Sequence, residues 1–157
     1  MRTMKLLMTV VCASAIGSAS IEAHSATQSA MAGHGWPNHF DTCFGSAFAR
    51  MINNCTGTIG STRLLIVPVQ VNATASTSFR TYARASGNGT DGFTTCQAFS
   101  IADNGSGYAF SQRVSTSNSS AMQLLNLGVV SFMAGGTLHF ECNVAEGGGR
   151  VNNVEFW

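Results

Sequence analysis

The sequence predicts an all-β chain. The expected fold is a single antiparallel β-sandwich of about seven to eight strands, Greek-key or jelly-roll-like, with a short N-terminal helix or turn and two disulfides. Three observations predict it. From residue 63 onward apolar residues recur at every second position, the period of a strand with one buried face. Between these runs lie clusters of Gly, Ser, Asn and Asp at about 8–12-residue spacing, the turn signals of a sandwich or barrel. The composition agrees, with 17 Gly and only 2 Pro in 157 residues, and 10% charged residues where a globular domain averages about 25%.

Taken in order, the first 23 residues read as a secretory signal peptide. Arg2 and Lys5 precede an apolar run at 6–16 (LLMTVVCASAI), and small residues follow, so that cleavage falls after Ala19, Ser20 or Ala23, the last being favoured. The run is too short to span a bilayer, which takes about 20 residues. Cys12 lies inside the run after Val11, an arrangement that argues against a lipid anchor. Residues 24–40 have no apolar period in their first part (HSATQSAMAGHGWP) and read as a flexible N-terminal arm. The sandwich is expected over 41–157.

Within it, Phe44, Phe48, Met51, Ile52 and Cys55 recur at three to four positions, a helical spacing, so 41–55 is expected as a short helix or turn. Leu65, Val67, Val69, Val71, Ala73 and Ala75 alternate with polar residues as a strand, and Pro68 within it points to an edge strand or a bulge. Residues 78–85 form the next strand, closed by Ser86-Gly87-Asn88-Gly89. Residues 92–100 and 107–115 pair as a hairpin, and 121–133 forms a longer strand bent at Gly128. In 137–144, Leu138, Phe140, Cys142 and Val144 face one way and His139, Glu141 and Asn143 the other. Residues 150–157 close the chain with Phe156 inside.

Removal of the signal segment takes away Arg2, Lys5 and Glu22. Six arginines and six acids remain, a net charge of zero with His neutral. That balance lacks the basic footprint of a nucleic-acid binder. Cys43, Cys55, Cys96 and Cys142 also remain, an even number for an oxidising compartment. Four cysteines permit three connectivities. Cys43–Cys55 is favoured as local, and Cys96–Cys142 because both lie in strand-like segments. No CxxC or HxxxH spacing supports zinc.

Arg80, Tyr82 and Arg84 alternate and so share a strand face. Guanidinium groups around an aromatic ring grip a sugar, carboxylate or phosphate by stacking and forked hydrogen bonds; a solvated face is the plainer alternative. His139 and Glu141 also share a face, a pairing that serves general acid–base chemistry, although no GxSxG elbow accompanies it. His34, His39 and Asp41 hold metal-ligand atoms, but their spacing matches no ligand rule and a histidine-rich linker is the simpler reading. No cofactor is expected. Five Asn-x-Ser/Thr triplets, at Asn54, Asn72, Asn88, Asn104 and Asn118, are read as compositional. The terminal Phe156-Trp157 resembles the end of an outer-membrane barrel strand, but two Trp and two Tyr are too few for aromatic girdles.

The stretch Leu65-Ile66-Val67-Pro68-Val69, the strand around Cys96 (TTCQAF) and Leu138-His139-Phe140-Glu141-Cys142 together resemble a group of small exported Gram-negative bacterial proteins of uncharacterised function. The resemblance covers 43–157. The group's pattern is a cysteine-proline-hydrophobic strand followed by two cysteine strands. Here Val67 precedes Pro68 and Cys55 lies upstream, which leaves the disulfide connectivity open. The resemblance implies a secreted, disulfide-linked β-sandwich and carries no catalytic residues.

The expected function is therefore that of an exported, non-enzymatic surface, matrix or binding module, located in the periplasm or outside the cell. Its expected partners are a glycan, a protein, or a second copy joined through an edge strand, with no nucleic acid and no transmembrane segment. The alternative is a small secreted hydrolase using His139 with a carboxylate such as Glu141.

Overall fold

In the computed structural model, residues 26–29, 34–35, 43–47, 50–56, 62–71, 73 and 75–157 are described. The expected signal peptide, His39 and Asp41 lie outside them. Twelve strands run through the described residues: β1 (Ala26–Ser29), β2 (His34–Gly35), β3 (Phe44–Ala47), β4 (Arg50–Asn53), β5 (Thr62–Val69), β6 (Thr77–Ser86), β7 (Thr95–Ile101), β8 (Tyr108–Phe110), β9 (Val114–Ser115), β10 (Gln123–Phe132), β11 (Thr137–Ala145) and β12 (Arg150–Phe156). They form two antiparallel six-stranded sheets. One runs β10-β6-β12-β4-β3, with β1 also on β12; the other runs β2-β5-β11-β7-β8, with β9 also on β7. We refer to them as sheet A and sheet B. From β5 to β7 and again from β10 to β12 the chain passes between sheets at each connection, as in a jelly roll.

Alternation explains the core. In sheet B, Leu65, Val67, Cys96, Ala98, Leu138, Phe140, Cys142 and Val144 point inward and are almost fully buried. They meet Phe79, Ala83, Ala85, Leu125, Leu127, Val130, Phe132, Val151, Val154 and Phe156 of sheet A in one apolar cluster. Phe79 sits at its centre, edge-on to Phe132 at 5.7 Å and to Phe156 at 5.3 Å between ring centroids.

Two bulges keep these faces in phase. The β10–β6 register shifts between Asn126 and Gly128, and the β12–β6 register between Val151 and Asn153. Without the first shift, the inward parity of Leu125 and Leu127 would turn Val130 and Phe132 to solvent. Gly128 holds φ +81°, and a Cβ added there would come no closer than 3.7 Å to any atom outside its immediate chain neighbours. The cost of a side chain is thus conformational. Gly128→Ala is expected to lower stability by about 1–2 kcal/mol in urea unfolding, and an unchanged midpoint would contradict this account of the bulge.

Of the helix or turn expected at 41–55, the described residues form no helix: 44–47 and 50–53 pair as a β-hairpin, in which Phe44 pairs with Asn53 and Ser46 with Met51. The three-to-four spacing arose because residues on both arms of a tight hairpin face one core; Phe44 and Met51 both pack against it. A helix that short is marginal on its own, whereas the hairpin gains backbone pairing from β12 through Ile52 and Met51. Buried Asn53 ties it to the opposite sheet, its Nδ2 donating to the Val144 carbonyl at 2.9 Å. A Cys43–Cys55 disulfide closes the hairpin's open end. The second disulfide, Cys96–Cys142, joins directly opposed residues of β7 and β11. Both pairings are those favoured from the sequence.

Within the segment read as an arm, β1 pairs with β12 and β2 with Leu65 and Ile66 of β5. Pro68 lies two residues past the described pairing of β2 with β5 and directly opposite His139 of β11.

Candidate functional site

The outer face of sheet B is built by the same alternation that fills the core. Because Cys96, Ala98 and Ser100 point inward, Gln97, Phe99 and Ile101 must point outward. The register then sets a row across four strands: Pro68 of β5, His139 of β11, Phe99 of β7 and Phe110 of β8. A second row sets Thr137, Ile101 and Tyr108 side by side.

The rings form a continuous strip. His139 stacks on Phe99 at 5.5 Å and 8° between planes, Phe99 meets Phe110 at 6.3 Å, and Phe110 lies 6.2 Å from Tyr108 at 21°. Tyr108 is 70% exposed and Phe110 56%, with Ile101 also exposed beside them. A contiguous exposed apolar surface of this kind marks a binding face more often than isolated exposed residues do.

Polar groups border the strip on one side. Glu141, next along β11, lies between Ile66 and Gln97, and its Oε1 is 3.2 Å from the His139 Nε2. Gln97 is anchored by donating to the Ser111 carbonyl at 2.7 Å and accepts from Arg113 Nε at 3.3 Å. Arginine, amide, carboxylate and imidazole thus stand in fixed positions beside the rings. The pairing of His139 with Glu141 is the one expected from sequence. Their direct cross-strand neighbours are Pro68, Phe99, Ile66 and Gln97, so neither a hydroxyl nucleophile nor a second carboxylate occupies those positions.

Arg80, Tyr82 and Arg84 are brought together on the outer face of sheet A, as alternation required. Tyr82 stacks on Trp157 with 4.6 Å between centroids and 16° between planes. Arg80 and Trp157 are neighbours through a pair of backbone hydrogen bonds. Arg84 Nε donates to Glu155 Oε1 at 3.1 Å, and the same oxygen accepts from Asn153 Nδ2 at 2.8 Å. Of the candidate metal residues, His34 is placed in β2 opposite Ile66; His39 and Asp41 are outside the described residues. Among the described residues no group of three or more His, Cys, Asp or Glu is placed to hold a metal ion.

Sequence reasoning missed Phe99, Tyr108 and Phe110. Their signal was the alternation Gln97-Phe99-Ile101 and Tyr108-Phe110, but an apolar residue in a strand is ordinarily assigned inward. Only the inward Cys96 and Ala98 fix the parity the other way.

No family model matches the chain, and no curated protein does. Among solved structures, it is similar to a GH26-CBM35 β-(1,4)-mannanase of Podospora anserina, at 10% identity and TM-score 0.49. That match covers 84% of this chain but 27% of the mannanase chain, so the chain spans about a quarter of that protein. It is also similar to the C-terminal CBM6 of a marine laminarinase from Zobellia galactanivorans, at 13% identity and TM-score 0.49, over 85% of this chain and 98% of that one. A third likeness is to a carbohydrate binding module of Cellvibrio mixtus lichenase 5A in complex with cellotriose, at 15% identity and TM-score 0.46, over 83% and 95% of the two chains. At such identities and TM-scores the likeness assigns neither a family nor a ligand to this chain.

Proposed function

We propose that the protein is an exported, non-enzymatic binding module whose outer sheet-B face takes a neutral glycan chain. One observation carries the reading: the strip His139–Phe99–Phe110–Tyr108, with rings 5.5–6.3 Å apart across three strands and solvent on its outer part. The faces of pyranose rings present C–H groups and their edges present hydroxyls. A sheet surface that offers aromatic area with planar hydrogen-bonding groups alongside matches both. Arg113 and Glu141 supply the donors and acceptors, Arg113 oriented by buried Gln97 and Glu141 by His139, which reduces the ordering cost of binding. Export is supported by the sequence of residues 1–23 and by two disulfides. Membership of the small exported Gram-negative group belongs to the same proposal.

The test is native electrophoresis through gels containing neutral polysaccharides, beginning with β-glucans. The wild type is expected to be retarded by at least one of them. Tyr108→Ala/Phe110→Ala is expected to lose about 2 kcal/mol or more of binding, some 30-fold in Kd, as aromatic anchors at interfaces do. Retardation that persists undiminished in this variant would overturn the reading. So would the absence of any retarded wild type.

A further inference from the structure

The outer face of sheet A concentrates the protein's positive charge. Arg80 and Arg84 point outward on β6. Arg150 of β12 lies directly opposite Ser86, two residues on from Arg84, and directly opposite Ile52 of β4. Opposed residues share a face, so Arg150 is on this one. Arg50, two residues before Ile52, joins it by the same alternation. Four of the six arginines that follow the signal segment therefore occupy one face. Among the described strand residues Glu155 is the only acid there. The arginines of this face stand beside exposed apolar residues, Leu124 opposite Arg84 and Val129 opposite Arg80.

This face is also where polar groups lack partners. Among the described residues, five buried side-chain polar atoms have no hydrogen bond, and four of them are here: Arg50 Nε, Arg150 Nε, Ser86 Oγ and Asn153 Oδ1. Ser86 is fully buried. Sealed and unpaired, these atoms are unfavourable as they stand and are themselves closed to a ligand. Arg50 and Arg150 as whole side chains are only partly buried, and guanidinium groups offer forks that suit a carboxylate. The face carries an aromatic platform in Trp157, 43% exposed and backed by Tyr82. It carries neutral hydrogen-bonding capacity in Asn126, directly opposite Tyr82.

From this we infer a second site, on the outer face of sheet A, for a carboxylate-bearing saccharide such as a polyuronate. The arginines pair with the carboxylates, and Trp157 stacks on a sugar ring between them. The observations favour a saccharide over a nucleic acid or an acidic peptide. The face combines guanidinium forks, which match planar carboxylates, with an open ring on which a sugar face can stack.

The experiment is titration calorimetry of the disulfide-intact protein against polygalacturonate and its fully methyl-esterified form. The controls are oligo-dT and polyglutamate matched in charge. The wild type is expected to bind polygalacturonate at least tenfold tighter than any of the other three, with affinity falling as salt rises. Arg80→Gln/Arg84→Gln is expected to lose at least tenfold, and Trp157→Ala to lose several-fold. Phe110→Ala, on sheet B, is expected to leave polygalacturonate binding unchanged, so this site and the neutral-glycan site fail separately. Equal binding of the esterified polymer, equal binding of oligo-dT or polyglutamate, no binding by the wild type, or full affinity in both variants would each overturn the inference.

Discussion

Phe140→Ala is expected to lower the unfolding free energy by about 3–5 kcal/mol, while Phe110→Ala, the same chemical change, stays within about 0.5 kcal/mol. Phe140 is fully buried at the inner face of β11, between Val67 of β5 and Ala98 of β7. Truncation there removes the ring's transfer free energy and leaves a void that small neighbours such as Ala98 cannot fill. Phe110 is more than half exposed on an edge strand. Domains of this size are stable by about 5–15 kcal/mol in all, so the first variant is also expected to unfold at markedly lower temperature. Urea unfolding of the two variants side by side is the check. Similar losses from both would contradict the assignment of the two faces of sheet B.

Replacing Cys96 and Cys142 together by Ala is expected to cost about 4 kcal/mol, and replacing Cys43 and Cys55 about 3, by the loop-closure entropy of the unfolded chain. The loops closed span 46 and 12 residues in sequence. Accessibility separates the pairs further. Cys96 and Cys142 are completely buried between the sheets, whereas Cys55 is only partly covered. Under mild reductant the native protein is expected to lose the Cys43–Cys55 bridge first. The Cys96–Cys142 bridge should yield only as the protein unfolds. Thiol trapping with mass detection distinguishes them, and simultaneous release of both pairs below the unfolding transition would contradict the burial order.

Much of the fold was legible because strand periodicity and burial coincide in this chain. Leu138, Phe140, Cys142 and Val144 alternate without interruption and lie on the inner face, and Phe156 is in the core. The bend expected at Gly128 is a bulge held by a positive φ. Residues 41–55 misled because five apolar residues cannot distinguish one helical face from two arms of a hairpin. The pairing of Ile52 and Met51 with β12 is a contact about 100 residues distant in sequence, and no local pattern records it.

The candidate sites divide in the same way. Arg80, Tyr82 and Arg84 were readable since alternation within one strand put them on a face, and so were His139 and Glu141. The partners that give each face its chemistry were not. Trp157 meets Tyr82, and Phe110 meets Phe99, only through pairing between strands, and Arg50 and Arg150 join their face only through β4 and β12. A single strand's pattern shows what points outward; the register decides what stands beside it.

The proposed function rests on the aromatic strip of sheet B as a ligand site. Its most direct test is amide chemical-shift mapping by NMR with the neutral oligosaccharide that corresponds to the retarding polysaccharide. Saturable shifts are expected at Phe99, Ile101, Tyr108, Phe110, His139 and Glu141, with sheet A silent. Shifts confined to sheet A or to the loops at the ends of the sandwich, with the strip unmoved, would contradict it.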